Sequence, residues 1–188
     1  MARIPLPDPA AMSPEQRSVY DDIVKGPRGR LVGPLRAALH RPDLADKWQK
    51  LGAALRYGTS LAPRLSELAI LVTARRWDCQ LEWYIHAEEA AKAGLTPEVI
   101  TALSRAQQPK FSNDDEAVVY EYAAQVTKSG FVSDAAYARA HALLGTVGVV
   151  DLTALVGYYS MVAMTLNAHQ LPLPDDAPPP LPQRSEIA

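Results

Sequence analysis

Residues 63 to 76, PRLSELAILVTARR, constrain the fold more than any other stretch of the chain. Pro63 marks a helix start, and the residues that follow, Leu68, Ile70, Leu71 and Val72, do not keep to one side of a 3.6-residue repeat. A helix that is apolar nearly all round has to be enclosed, so the rest of the chain must supply packing around it. The remaining segments fit that demand. No stretch alternates polar and apolar residues between turn signals, so no strands are expected and the fold class is all-α.

Taken in order, residues 1–12 read as an extended, proline-bearing arm. Ser13, Pro14 and Gln16 make a cap, a first-turn proline and a capping-box partner for a helix ending near Gly26. GPRGR, residues 26–30, is a loop, and a short helix covers Leu35 to His40. Asp43 is the expected cap of a helix through Leu44, Trp48, Leu51 and Leu55, ending at Gly58. After the Pro63 helix, Asp78 is the expected cap of one running through Cys79, Glu82, His86 and Ala90 to Gly94. Thr96-Pro97 opens a helix to about Ala106, and Ser112 with Asp115 caps another that Gly130 closes. Ser133 starts a short helix to Gly145, and Thr146 to His169 forms a long, mostly apolar one. The prolines of LPLPDDAPPPLPQRSEIA forbid a helix there; the tail either lies along a neighbouring subunit or stays disordered. The division is therefore an arm over 1–12, one helical domain over 13–171, and a proline-rich tail over 172–188.

At 188 residues, with 48% hydrophobic and 21% charged, the chain suits one soluble domain with a sizeable core. The net charge of −2, with Lys and Arg scattered, argues against nucleic acid or an anionic membrane as partner. A single cysteine excludes an intramolecular disulfide and points to the cytoplasm. The N-terminus lacks the apolar core of a signal peptide. Val147 to Leu166 is apolar enough to suggest a membrane span, yet it carries Asp151, Ser160 and Thr165, which suits a helix buried in protein.

Cys79, Glu82 and His86 stand three and four apart, so on a helix they share one face, with Glu67 on the preceding helix. A thiol, two carboxylates and an imidazole can relay protons or activate a nucleophile. Glu67 is expensive to desolvate beside an apolar run; it serves as a proton donor or acceptor, or pairs with Arg64 or Arg75. Cys79 in a first helical turn would favour thiolate, unless it is a buried, inert thiol. Glu82 and His86 are either a base and its orienting carboxylate or a solvated helix pair, and the neighbouring Trp83 and Tyr84 favour burial. Three ligands from one helix make a poor zinc site, and no metal is expected. Arg56 and Arg75 are candidates to hold an anionic substrate, with Trp83 beside them. Tyr158, Tyr159 and His169 read as core and helix-end residues.

Glu67, then Cys79 twelve on, His86 seven further, and AKAGLTPEVI after it, resemble the carboxymuconolactone decarboxylase family, which includes alkylhydroperoxidase D. The resemblance covers roughly residues 45 to 170. It implies an all-helical, alkylhydroperoxidase D-like bundle assembled as trimers or hexamers, a small-molecule substrate, and no metal or organic cofactor. In the namesake reaction an unsaturated lactone loses carbon dioxide and its conjugated carbonyl takes up the electrons. The peroxidases of the family use a Cys-x-x-Cys pair; here those positions are Cys79 and Glu82, with Leu81 where a histidine is usual. The resemblance therefore implies a lyase with Glu67 and His86 as proton relay and Cys79 and Glu82 lining the pocket. The alternatives are a one-cysteine thiol peroxidase at Cys79 and a helical oligomer without chemistry.

Overall fold

The computed structural model describes residues 2–174 and 177–183, and among these there are eight α-helices and no strand. They are α1 (Pro14–Lys25), α2 (Leu35–Ala38), α3 (Pro42–Tyr57), α4 (Pro63–Arg76), α5 (Gln80–Lys92), α6 (Pro97–Ser104), α7 (Asp114–Ser129) and α8 (Asp134–Ala168). The centre of the bundle is α4, packed against α5, α6, α7 and α8. Leu65, Leu68, Ile70, Leu71 and Val72 are buried on its several sides, as a helix without a polar face requires. Each such side chain contributes about 1.5–3 kcal/mol of burial. A second layer, α1 and α2 on α3, closes one flank, with α3 also against α8.

Several starts follow the local signals. Ser13 and Gln16 form a reciprocal capping box, Thr96 caps α6 and Ser133 caps α8. Three expected caps fail. Asp43 falls inside the first turn of α3, which Arg41 precedes without a side-chain capping bond. Neither Ser112 nor Asp115 caps α7; Asn113 holds that position, and its amide turns to Glu116 instead. Asp78 adopts a left-handed backbone, φ 50°, and Cys79 takes the N-cap place of α5. The α4–α5 turn is so tight that the residue before the helix is spent on reversing the chain. The arm also departs from extended chain in one 3₁₀ turn, Pro9–Ala11.

The two helices expected to meet at Gly145 form one run, α8, broken only at that residue, whose φ of 67° suits glycine. Asp151 faces the bundle and accepts from Ser60 N and Oγ, both at 2.7 Å. The helix is long and apolar enough to cross a membrane by length and composition, but only one side of it is buried. Its outer side exposes Val147, Val150, Met161 and Met164. The described part of the tail folds onto its own chain. Leu181 is 2% exposed, and its backbone pairs with the Gln80 amide, donating at 2.9 Å and accepting at 3.0 Å. Residues 175–176 and 184–188 of the expected tail lie outside the described residues.

Candidate active site

The α4–α5 hairpin brings Glu67 and His86 together although they are nineteen residues apart. Glu67 Oε2 lies 2.7 Å from His86 Nδ1. The arginines that the sequence offers as partners for Glu67 are engaged elsewhere: Arg64 binds Asp115 at 2.7 Å and also Glu116, and Arg75 binds Asp78 at 2.8 Å. A carboxylate at Nδ1 holds that nitrogen as the donor and leaves Nε2 as the basic position of the ring. The edge of the imidazole meets Tyr159, ring centroids 5.0 Å apart and nearly perpendicular, so the ring is fixed by packing as well.

His86 borders a cavity of about 220 Å³, whose wall also includes Glu82, Arg56, Arg28, Tyr158 and Tyr159. Glu82 is 1% exposed, and neither carboxyl oxygen has a hydrogen-bond partner among the described residues. Burial pushes its carboxyl well above the usual carboxylate range, so it keeps its proton where ordinary glutamates ionise. The site therefore pairs an oriented imidazole with a neutral carboxylic acid. Glu67 stands behind His86 rather than on the cavity wall.

Cys79 does not share this arrangement. It precedes α5 instead of sitting in its first turn, is 1% exposed and lies off the cavity. Burial, with the Glu82 carboxyl next in effect, pushes its thiol up to about 12. The helix-dipole activation expected from sequence is overridden by desolvation. Arg75 is buried with the Asp78 turn and reaches the Pro182 carbonyl at 3.4 Å, away from the cavity, so it holds chain rather than lining the site. Trp83 is buried in the core, and the aromatic wall comes from Tyr57, Tyr84, Tyr158 and Tyr159 instead. The two adjacent tyrosines of α8 are thus wall as well as core.

Sequence reasoning left the GPRGR loop without a role. The segment from Arg28 to Leu35 folds over the cavity, with Gly29 and Gly33 in left-handed conformations at its bends, so Arg28 and Arg30 join Arg56 around one hollow. None of the three guanidinium groups is in an ion pair among the described residues, whereas the rim carboxylates Glu88 and Glu89 are held by Lys92. Two arginines between glycines, ahead of a helix, were the available signal. Among the described residues no group of three His, Cys, Asp or Glu side chains is placed to hold a metal ion.

With that geometry in hand, comparison with known proteins places the chain. Among the solved structures similar to the chain are the following three. One, from Ralstonia eutropha JMP134, is an uncharacterized peroxidase-related protein with an alkylhydroperoxidase AhpD core, at TM-score 0.74 and 18% identity over 93% of each chain. The second is the debrominase Bmp8, at TM-score 0.71 and 14% identity over 91% of each. Another uncharacterized peroxidase-related protein, from Silicibacter sp. TM1040, has TM-score 0.69 and 17% identity over 90% of each. At these identities the likeness is one of fold. No curated protein matches the chain. The model of the carboxymuconolactone decarboxylase family matches residues 42–124, which span α3 to α6, most of α7, and the Glu67–His86 pair. The chain therefore resembles the carboxymuconolactone decarboxylase family from α3 into α7 and has an AhpD-like all-helical fold.

Proposed function

We propose that the protein is a cofactor-independent enzyme that moves a proton on a small anionic organic molecule, with decarboxylation as the leading reaction. The observation that carries this reading is the 2.7 Å contact between Glu67 and His86 Nδ1 at the edge of a cavity. In the decarboxylation, the bond from carbon to the departing carboxylate breaks and carbon dioxide leaves. The electron pair moves into a conjugated carbonyl of the substrate, giving a dienolate. His86, protonated at Nε2, returns a proton to carbon, while Glu67 stabilises the imidazolium before that transfer. Glu82, a neutral acid in a dry wall, donates a hydrogen bond to the dienolate oxygen as charge develops there. Arg56 holds the anionic substrate at the cavity mouth. The same groups, run from the neutral imidazole, support isomerisation.

The test is turnover of an unsaturated lactone carboxylate, followed by carbon dioxide release, in wild type, His86→Ala and Glu67→Gln. Removing the proton carrier is expected to cost about 10²–10⁴-fold in kcat. Equal rates in all three would overturn the reading. A peroxidase at Cys79 finds less support, because the thiol is buried, off the cavity and pushed up to about 12. The assembly we infer is a homo-oligomer in the cytoplasm, trimer or hexamer, supported by the unpartnered apolar side of α8.

A further inference from the structure

Beyond Tyr159, as seen from His86, the cavity wall continues through Tyr158, whose ring centroid is 5.3 Å further on. The Tyr158 hydroxyl there meets a concentration of donors. Arg28 Nη2 reaches it at 3.4 Å, a long contact for a hydrogen bond. The Trp48 indole is also a neighbour of that hydroxyl. Yet Arg28 Nε is buried with no acceptor among the described residues, and the indole N–H reaches the Tyr158 oxygen without full hydrogen-bond geometry. Trp48 is 8% exposed, so bulk water does not meet this demand. Buried donors without acceptors cost stability until a partner arrives.

Gly52 makes the space for this cluster. A Cβ at that position would stand 2.1 Å from the Tyr158 hydroxyl and 2.3 Å from Arg28 Nη2. Only a residue without a side chain lets the two polar tips come against α3. The Arg28 guanidinium has no carboxylate in ion-pair range among the described residues, and the indole N–H can only donate.

We propose that the end of the cavity lined by Arg28 and Tyr158, backed by Trp48 and Gly52, is a carboxylate-binding subsite, which holds one end of the substrate while His86 works on the other. One guanidinium offers two parallel N–H groups that match a carboxylate, and the indole and phenol add single neutral donors around it. The planar fork of Arg28 with single neutral donors beside it suits a planar carboxylate over a tetrahedral phosphate. The subsite rests on the proton-transfer reading for its role as a substrate handle, and nothing else in it depends on His86.

Benzoate is the probe, since it carries the carboxylate and has nothing for His86 to act on. Titration calorimetry on the full chain is expected to show wild type and His86→Ala binding benzoate alike. Arg28→Met should weaken it about tenfold or more, and Tyr158→Phe by less. Tyr158→Phe removes a single oxygen and serves as the second variant should Arg28→Met fold poorly by circular dichroism. Benzamide, neutral and of the same shape, is expected to bind wild type as weakly as benzoate binds Arg28→Met. Wild-type binding of benzoate no tighter than of benzamide or inorganic phosphate would overturn the subsite. So would benzoate affinity unchanged in both Arg28→Met and Tyr158→Phe. Benzoate binding that depends on Arg28 while lactone turnover ignores His86 would sink the proton-transfer reading alone.

Discussion

At Glu82 a side chain that prefers water is held in a dry wall without a partner. In the unfolded chain its carboxyl ionises near the ordinary value of 4.5, while in the folded chain it keeps its proton to higher pH. Between those limits the unfolded state binds fewer protons, so stability falls as pH rises. Glu82→Gln removes that slope. The variant should melt with wild type near pH 4 and be more stable at pH 8, by at least about 1 kcal/mol, the worth of roughly one pKa unit. Activity should move the other way, because an amide is a weaker hydrogen-bond donor to a developing oxyanion than a carboxylic acid. Thermal melts across pH beside turnover measure both, and a variant less stable than wild type at pH 8 would contradict the account. Such opposition is expected where a group is kept for chemistry at the expense of the fold.

Helix by helix, the parts of the structure legible in the sequence were those settled within one turn of chain. Ser13, Thr96 and Ser133 cap because their oxygens meet amides three residues on. Asp78 fails because the reversal between α4 and α5 takes it into a left-handed turn, a demand set by packing. The site divides the same way. Glu82 and His86 share a face by helical spacing alone, whereas the Glu67–His86 contact needs the hairpin, and only the family pattern suggested that these two candidates work as a pair. Arg28 and Arg30 could not be placed because their loop acquires a position only once the bundle exists. Arg75 was misplaced because the pattern gives no direction for a side chain at the end of α4. The tail shows a similar dependence, since Leu181 finds its seat only against an assembled α5. Leu181→Ala is expected to destabilise by about 1–2 kcal/mol, less than a central core truncation because tail and surface can close up. Gln80→Ala, which removes both bonds to that backbone, should speed proteolytic trimming of the tail with the bundle intact. Mass spectrometry of the fragments tests it; a trimming rate equal to wild type counts against the pin.

For the molecule as a whole, the outer side of α8 is the largest unspent feature. Val147, Val150, Ala154, Gly157, Met161 and Met164 are exposed at intervals alternating three and four, the repeat of a helix seam. Ala154 and Gly157 at its middle would let a second helix come close. Val150→Glu with Met161→Glu should therefore lower the mass seen by light scattering while circular dichroism stays unchanged. A wild-type chain already monomeric at micromolar concentration would refute self-association through this seam. Gly52 matters at this scale too, although it is absent from the cavity wall itself. Whatever carbon replaced its hydrogen would displace the polar tips resting on it and drive them inward. A natural exchange at that one position would thus shorten the longest molecule the cavity admits, a size filter operated from behind the lining.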